Sequence, residues 1–235
     1  MKNFFDYSGW ELHYFDEAEN FRNYQLDIIK DKLMGLVAEV GPGNGSLCEK
    51  YKDYCENVVL YEPSKNLFEN LTQKFELETK IKVQNSQFNS SENKFDCVLL
   101  MDVIEHVENP KNLIETLFAS LKKNGKLIIN VPAFQHLYSK FDEDVGHLKR
   151  YNKKNFLKEI ESIKPKKIKM SYYDSVGYFL SLFAQLSFNL YKNYSYKKNF
   201  QTKISIWNFL IPISRILDKI LLNSFGKSLF IVITK

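Results

Sequence analysis

A length of 235 residues, with 44% hydrophobic and 26% charged side chains, predicts one globular domain and excludes a disordered or fibrous chain. The net charge is +5, but the densest basic group, within residues 164–169, has no interleaved aromatic side chains, so we expect no nucleic acid partner. Three cysteines without metal-ligand spacing, no signal-peptide pattern and no uninterrupted apolar run of about 18 residues predict a cytoplasmic chain without a membrane-spanning helix.

Residues 1–33 are rich in aromatic side chains, and from about Phe15 their apolar positions recur every three to four residues. This spacing predicts an N-terminal helical cap that precedes the first strand. Tyr14 and its aromatic neighbours have two interpretations. Either they pack on the edge of the sheet, or they cover a ligand cleft, in which case Tyr14 is a candidate substrate contact.

A short apolar strand over Leu36–Val40 runs into a turn with glycines at alternate positions, and a helix is expected from about Leu47. Glycine adopts positive φ values and lets a ligand approach the backbone, because it has no Cβ. A strand, a glycine-rich turn and a helix N-terminus together form a cofactor cradle in α/β proteins. The other interpretation is an ordinary glycine-rich turn in an unrelated α/β domain.

The run from Glu39 to Gly45, Glu-Val-Gly-Pro-Gly-Asn-Gly, resembles motif I of the class I S-adenosylmethionine-dependent methyltransferases. The dinucleotide fingerprint G-x-G-x-x-G would instead need its third glycine at Ser46. The resemblance implies that S-adenosylmethionine is the cofactor, that the turn passes under its methionine part and that Glu39 helps to bind its amino group. The cofactor contacts implied in this stretch are Glu39, Gly41, Pro42, Gly43, Asn44 and Gly45.

A second strand, Asn57–Tyr61, ends in Glu62-Pro63-Ser64, about 20 residues beyond the glycine turn. An acid at this place can accept hydrogen bonds from both ribose hydroxyls of a nucleoside cofactor. The methyltransferase family uses an acid there in the same way. Glu62 and Pro63 therefore join the expected cofactor contacts.

The sequence then predicts a helix over Lys65–Glu76 and a short third strand over Ile81–Gln84. The methyltransferase family usually has an acid directly after this strand, where it contacts the adenine amino group. No acid follows the strand here. Ser86 or Gln87 is the expected replacement, through a hydroxyl or an amide.

The fourth predicted strand, Phe95–Met101, is apolar enough for burial on both faces, and Asp102-Val-Ile-Glu105-His106 follows it. Phe-Asp at its start and Glu-His after it match the methyltransferase pattern, and Met101 and Asp102 are expected cofactor contacts. His106 is a general base, a residue that lines the cofactor or loop, or one ligand of a divalent cation beside the two acids. The cation interpretation resembles the O-methyltransferases of ubiquinone biosynthesis, but we assign no metal ligands from the sequence.

A helix that begins at Pro110 is expected to end at Lys122–Gly125, where cations and a glycine suit a helix C-terminus. A fifth strand, Lys126–Val131, follows. Residues 132–151 are then too many, and too rich in His, Asp, Tyr and Arg, for a plain connection. Because this loop follows the fifth strand, it should lie over the acceptor side of the cleft.

The 132–151 loop resembles a branch of bacterial methyltransferases with a Pro-Ala-x-x-x-Leu-Tyr-Ser-x-x-Asp and Gly-His-x-x-Arg-Tyr signature, and the likeness covers nearly the whole chain. The resemblance implies acceptors connected with glycan or lipid-linked sugar assembly. The expected catalytic bases are His147 and, after it, His106, and the expected substrate contacts are Asp142, Arg150 and Tyr151. Alternatively, the acid, histidine and arginine of the signature form a hydrogen-bonded clasp that orders the loop.

The remaining elements are a predicted helix over Tyr151–Ile160 and sixth and seventh strands over Lys167–Tyr172 and Leu229–Thr234. Two apolar helices, Ser175–Tyr191 and Ile204–Leu222, separate these strands. Residues 173–226 are therefore predicted to be a helical insertion before the last strand. The insertion either packs as a cap or touches a membrane surface through residues 175–222.

Together these elements predict a Rossmann-like class I methyltransferase, with a seven-stranded, mostly parallel sheet in the order 3-2-1-4-5-7-6 and helices on both faces. We expect one domain, with a cofactor-binding core at residues 34–172 and a final strand at 227–235. The expected activity is S-adenosylmethionine-dependent methyl transfer to an oxygen, or a nitrogen, of a small-molecule, glycan or lipid-linked acceptor. The alternatives are a non-catalytic S-adenosylmethionine-binding subunit of a partner enzyme, a divalent-metal-assisted O-methyltransferase and a peripheral membrane-binding protein.

Overall fold

The structure is a computed structural model that describes residue 7 and residues 9–89, 94–190 and 200–235. Within these residues seven strands form one sheet: β1 Leu36–Val40, β2 Asn57–Tyr61, β3 Ile81–Gln84, β4 Phe95–Met101, β5 Leu121–Pro132, β6 Lys167–Tyr173 and β7 Ser228–Thr234. Their order is β3-β2-β1-β4-β5-β7-β6. The neighbours from β3 to β5 are parallel, whereas β7 runs antiparallel to β5 and β6. This topology confirms the predicted Rossmann-like fold.

Helices cover both faces of the sheet. The α-helices of the described residues are α1 Leu12–Asp16, α2 Glu19–Ile29, α3 Ser46–Tyr51, α4 Lys65–Lys74, α5 Pro110–Ser120, α6 Lys140–Asp144, α7 Lys153–Glu159, α8 Ser175–Leu190 and α9 Phe200–Ile220. Side chains of α5 and α7 belong to the hydrophobic cluster on one face, and side chains of α2, α3, α4 and α9 belong to the cluster on the other.

The central strand β4 is buried on both faces, as its apolar sequence predicts. Val98 and Leu100 belong to the cluster that contains α5 and α7, whereas Cys97 and Leu99 belong to the opposite cluster. All four side chains are fully buried. A parallel sheet with helices on both sides requires this pattern, because successive side chains of a strand point to opposite faces.

The predicted strands β1 to β4 match the structure at both ends. The predicted end of α5 is wrong: the helix stops at Ser120, and Gly125 lies inside β5 instead of capping the helix. Leu121 is fully buried, has an extended backbone and pairs with Phe95 of β4 before the register of the ladder shifts. Burial of Leu121 against the sheet therefore ends the helix earlier than the glycine indicated.

The segment between β6 and β7 contains α8 and α9, and a buried network fixes α9 to the sheet. Asp218 of α9 accepts hydrogen bonds from the backbone N–H of Asp174 at 2.6 Å, from that of Ser175 at 2.9 Å and from the Tyr24 hydroxyl at 2.9 Å. The Trp207 indole N–H donates to Asp174 at 2.8 Å. These bonds join α9 to β6 and to α2, and they place Trp207 beside the carboxyl end of the sheet.

The two helices correspond to the apolar helices predicted for the insertion, although α9 begins at Phe200 instead of Ile204. The predicted end of the first helix, Tyr191, lies outside the described residues. Among the described residues, no helix has both the length and the apolar character needed to cross a bilayer. Several large apolar side chains of α8 and α9 are nevertheless exposed, including Phe183 and Phe209.

Candidate active site

A cavity of about 460 Å³ lies at the carboxyl ends of β1, β2, β4 and β5, where parallel α/β sheets bind ligands. Its lining combines segments that are far apart in the sequence. They are the glycine turn after β1, the acid after β2, the segment after β4, the N-terminal helices, the 132–151 loop and α9. This convergence makes the cavity the candidate active site.

The glycine turn forms one wall of the cavity and has a backbone conformation that other residues adopt rarely. Gly41 and Gly43 have φ values of 67° and 59°, in the left-handed region that glycine adopts readily. The Gly41 N–H donates to the Tyr61 carbonyl at 3.0 Å, which joins the turn to the end of β2. A Cβ on Gly41 would lie 2.9 Å from a methyl group of Val103, so glycine is required for this close approach.

Two buried carboxylates, Glu39 at the end of β1 and Glu62 after β2, line the same wall. Glu39 accepts a hydrogen bond from the Tyr51 hydroxyl at 2.8 Å, and Glu62 accepts one from the Ser64 N–H at 2.9 Å. Burial raises the pKa of each carboxyl to about 7, because the charged form loses hydration. A ligand with a cationic amine and free hydroxyls would stabilise the charged forms of both acids.

The N-terminal helices contribute two charged residues that the sequence reasoning missed, Asp16 at the end of α1 and Arg22 in α2. Asp16 accepts hydrogen bonds from the Asn44 amide at 2.8 Å and from the Ser46 hydroxyl at 2.5 Å, which fastens α1 to the glycine turn. Arg22 donates to Asp16 at 3.3 Å and to Gln25 at 2.8 Å. Its Nε atom is buried without a partner among the described residues, so it is a donor for an anionic ligand group.

Asp142 is fully buried at the start of α6 and holds the 132–151 loop together. One of its oxygens accepts hydrogen bonds from His147 Nδ1 and Arg150 Nε, both at 2.8 Å. The other accepts from Arg150 Nη2 at 3.0 Å and from the Ser139 N–H at 2.9 Å. Burial alone would raise the pKa of Asp142, but the hydrogen bond from His147 and the charge of Arg150 hold it well below its ordinary value. The signature residues therefore form the clasp, and the clasp fixes the His147 ring.

His106 lies next to His147, with the two ring centroids 4.7 Å apart. Its Nδ1 atom is 3.2 Å from the Gly146 carbonyl, which can only accept, so Nδ1 carries the proton and Nε2 keeps a lone pair. Burial, followed by the nearby His147, lowers the pKa of His106 to about 4, and the imidazole is neutral near pH 7. Glu105 is fully buried beside the pair, and its Oε1 lies 3.9 Å from His147 Nε2.

Most of the expected site residues line the cavity. They are Glu39, Gly41, Pro42, Gly43, Asn44, Glu62, Pro63, Met101, Asp102, His106, His147 and Arg150. Gly45 belongs to the same turn but faces the core instead of the cavity. A Cβ on this residue would lie 2.7 Å from side-chain atoms of both Leu71 and Phe75. Asp102 has a φ of 59° and accepts a hydrogen bond from the Asn130 amide at 2.7 Å.

The structure does not bring the remaining expected substrate contacts to the cavity. The Tyr14 ring packs against Phe200 of α9, with centroids 5.2 Å apart, so it packs on a helix of the insertion instead of on the edge of the sheet or in the cavity. Tyr151 is 1% exposed, and its N–H donates to the Pro132 carbonyl at 2.9 Å, which closes the base of the loop. Asp142 is separated from the cavity by the side chains that it orients.

The expected adenine contacts, Ser86 and Gln87, also lie outside the cavity lining. Both follow β3, which is the edge strand of the sheet. The next residue, Phe88, is buried against Tyr61, with ring centroids 4.8 Å apart. This packing directs the segment away from the cavity, and the side chains that line the nearest wall are Pro63 and Leu67.

The sheet order, the glycine turn and the paired acids define a class I S-adenosylmethionine-dependent methyltransferase. The chain belongs to the methyltransferase domain family, whose model matches residues 12–192. An uncharacterized protein of Methanocaldococcus jannaschii is 27% identical over 161 residues, which cover 67% of this chain and 73% of that protein.

Two solved structures have a similar fold at low sequence identity. Phosphoethanolamine N-methyltransferase 2 of Haemonchus contortus, in complex with S-adenosyl-L-methionine, has a TM-score of 0.65 and 15% identity. The match covers 100% of this chain and 59% of the Haemonchus chain, so this chain spans about three fifths of that enzyme. A SAM-dependent methyltransferase of Archaeoglobus fulgidus has a TM-score of 0.60 and 15% identity, with 94% of each chain covered.

S-adenosylmethionine is the cofactor of this class, and the cavity contains groups that fit it. The cofactor carries an ammonium group, a carboxylate and two ribose hydroxyls around its sulfonium centre. The buried acids Glu39 and Glu62 suit the ammonium group and the hydroxyls, and the unpartnered Arg22 Nε suits the carboxylate. The glycine turn provides a wall without Cβ atoms, along which the ligand can lie close to the backbone.

Proposed function

We propose that the chain transfers a methyl group from S-adenosylmethionine to an oxygen, or a nitrogen, of a small-molecule, glycan or lipid-linked acceptor. One observation carries the proposal: the cofactor cradle and the paired histidines, His106 and His147, line a single cavity. The bound cofactor supplies an electrophilic methyl group on its sulfonium. The chain has to align the two reactants and remove one proton, and alignment accounts for most of the acceleration.

On the cofactor side, the proposal gives each polar group a separate task. Glu39 and Arg22 bind the amino and carboxylate groups of the methionine part, and Glu62 binds the ribose hydroxyls. The raised pKa values of Glu39 and Glu62 support this arrangement, because a cationic, hydroxyl-bearing ligand would stabilise their charged forms. Asp16 supports it indirectly, since it holds α1 against the glycine turn through Asn44.

On the acceptor side, His147 takes the proton from the acceptor. Asp142 accepts a hydrogen bond from His147 Nδ1, which leaves Nε2 as the basic atom and stabilises the imidazolium that forms. His106 is the second base in our order of preference, since its neutral ring also keeps a lone pair on Nε2. Arg150 keeps the base in place, because it binds both oxygens of Asp142.

The test is an acceptor panel of hydroxyl-bearing and amine-bearing sugars, lipid-linked sugars and small amines, with S-adenosylhomocysteine release and product mass as readouts. We expect His147→Ala to lower kcat about 100-fold or more, with little change in KM for the cofactor. His136→Ala is the matched control, because His136 lies outside the cavity lining. This variant should retain full activity. Unchanged turnover in the double variant His106→Ala, His147→Ala would refute acid–base catalysis by this pair.

The alternative of a non-catalytic binding subunit makes a different prediction in the same assay. Such a subunit would bind S-adenosylmethionine yet transfer no methyl group to any acceptor without its partner enzyme. The histidine pair favours catalysis, because both rings line the cavity beside the cofactor cradle and each keeps a lone pair on Nε2. A cytoplasmic location is part of the proposal, and it is supported by three free cysteines, of which Cys48 and Cys97 are buried.

A further part of the proposal concerns the helical insertion. We propose that it contacts a membrane surface, where the chain would meet a lipid-linked acceptor. Five apolar side chains of α9 are at least half exposed and recur every three to four residues: Ile206, Phe209, Ile213, Ile216 and Ile220. This spacing puts them on one stripe of the helix. The sequence before this stripe contains lysines at positions 192, 197, 198 and 203. A membrane with anionic lipids would suit both the apolar stripe and these positive charges.

Vesicle flotation tests this membrane contact. The chain should float with phosphatidylcholine vesicles that contain phosphatidylglycerol, and float less with pure phosphatidylcholine vesicles. Phe209→Ser combined with Ile213→Ser should abolish flotation, because both changes remove apolar area from the stripe. Leu77→Ser is the matched control, since Leu77 is also exposed but lies between α4 and β3. A stripe that is covered by a second copy of the chain, with no flotation, would refute the membrane contact.

A further inference from the structure

Three side chains with metal-binding atoms converge at the acceptor side of the cavity. Glu105, His106 and His147 each offer one ligand atom, and these atoms lie within 4.8 Å of one another. Glu105 and His106 end the short turn after β4, whereas His147 comes from the 132–151 loop. The sequence suggested Asp102 as the third member beside Glu105 and His106. In the structure the third member is His147, and Asp102 accepts a hydrogen bond from Asn130 instead.

The Glu105 carboxylate has no hydrogen-bond partner among the residues that the structure describes. This holds for both of its oxygens, and the side chain is fully buried. A buried carboxylate without a hydrogen bond or a counter-ion is strongly destabilising, so one in a native fold needs an explanation. The two oxygens, with His147 Nε2 3.9 Å from one of them, suit a cation bound between the acid and the imidazole.

The charges around Glu105 also favour a cation. Asp102, Arg150 and Asp142 are among its charged neighbours. Arg150 already binds Asp142 through two hydrogen bonds, so its charge is matched there. A divalent cation would bring a positive charge directly to the Glu105 carboxylate.

Both imidazoles are held in the way that metal-binding histidines usually are. The His147 Nδ1–H donates a hydrogen bond to the Asp142 carboxylate, and the His106 Nδ1–H donates one to the Gly146 carbonyl. A hydrogen bond from one ring nitrogen to a carboxylate or carbonyl fixes the tautomer and leaves the other nitrogen as the ligand atom. Two histidines from different segments therefore each keep a lone pair on Nε2, and both belong to the cluster with Glu105.

We propose that Glu105, His106 and His147 bind a divalent first-row transition ion, with Zn²⁺ as the expected occupant. Two ligand atoms of a tetrahedral Zn²⁺ site are about 3.4 Å apart, so the 3.9 Å between His147 Nε2 and Glu105 Oε1 closes with a small side-chain rotation. Two histidines and one carboxylate leave a coordination position open, as in catalytic zinc sites. Because both histidines line the cavity, that position is available to an acceptor hydroxyl or amine.

The inference deepens the proposed function and rests on it only for the role of the ion. Without an ion, His147 takes the proton as proposed above. A bound ion would occupy the His147 Nε2 lone pair and would replace this histidine as the group that activates the acceptor. Such an ion would lower the pKa of an acceptor hydroxyl, and this hydroxyl would lose its proton to solvent water as its oxygen attacks the methyl carbon. The acceptor oxygen gains the methyl group as the carbon–sulfur bond breaks, with S-adenosylhomocysteine as leaving group.

The test is ion binding by the full chain after removal of metals with a chelator. Titration with Co²⁺ should give a saturable visible absorbance at one equivalent per chain, and Zn²⁺ should displace it. Glu105→Gln and His106→Ala should each weaken binding at least 100-fold, and Asp142→Asn should weaken it about 10-fold to 100-fold. His13→Ala is the matched control, since His13 lies outside the cluster, and it should bind as the wild type does.

Titration of each variant with S-adenosylmethionine checks that the cavity has folded, so weaker ion binding is not the result of unfolding. Absence of a saturable Co²⁺ spectrum in the wild type, or equal binding by His106→Ala, would refute the ion site. Methyl transfer that is undiminished in the stripped chain, with no ion bound, would refute the ion's role and leave the proposed function intact. Ion binding without transfer to any acceptor would refute the proposed function and leave the ion site standing.

Discussion

Replacement of Glu39 by glutamine should stabilise the cofactor-free chain and, at the same time, weaken cofactor binding. The Glu39 side chain is 2% exposed, and burial raises the pKa of its carboxyl from 4.5 to about 7. Between these two values the native state binds more protons than the unfolded state does. At low pH the carboxyl is protonated in both states and the chain has its full stability. That stability is lost as the pH rises through about 7, because the buried carboxyl must then become charged.

The magnitude follows from the difference between the two pKa values. A rise from 4.5 to about 7 corresponds to about 3 kcal/mol of destabilisation once the carboxyl is charged in both states. Glutamine removes the charge and keeps an oxygen for the Tyr51 hydroxyl, but its amide N–H groups need partners. We therefore expect Glu39→Gln to be more stable than the wild type by about 1–3 kcal/mol at about pH 8.5 and nearly equal at about pH 5.

Urea unfolding at the two pH values measures the stability, and titration calorimetry with S-adenosylmethionine measures the binding. Binding should weaken about 10-fold or more, because the cationic amine loses its buried counter-charge. Glu56→Gln is the matched control, since Glu56 is exposed, and it should change neither quantity. A Glu39→Gln chain that is less stable than the wild type at the higher pH, or that binds the cofactor equally well, would refute this reasoning.

Two further substitutions test other parts of the site. Asp142→Asn should lower the free energy of unfolding by about 3 kcal/mol in urea, because Arg150 is left buried without a charged partner, and equal stability would contradict the clasp. Gly43→Ala should reduce stability by about 1–2 kcal/mol through its φ of 59°, and it should weaken cofactor binding at least 10-fold in calorimetry. Unchanged binding by Gly43→Ala would mean that the ligand does not lie along this turn.

The sequence predicts the sheet well because the signals for its strands are local. β4 reads as one apolar run, and Gly41 and Glu62 mark the strand ends where the cavity lies. The end of α5 was missed because tertiary burial of Leu121 in β5 outweighs the local preference of glycine for a helix C-terminus.

The parts of the site that come from distant segments are harder to predict. Asp16 and Arg22 look like ordinary surface charges in the N-terminal helices, and only the packing of α1 and α2 over the glycine turn brings them to the cavity. Tyr14 is close to Asp16 in the sequence but packs against α9 instead. The approach of His147 to Glu105 likewise depends on the fold of the whole 132–151 loop.

The most direct measurement of the central claim is calorimetric titration of the chain with S-adenosylmethionine, for the wild type and for Glu62→Ala. We predict one site per chain, with binding by Glu62→Ala at least 10-fold weaker because the ribose hydroxyls lose their acceptor. Glu69→Ala, a change at an exposed acid of α4, should bind as the wild type does. No binding by the wild type, or full binding by Glu62→Ala, would contradict the assignment of this cavity to the cofactor.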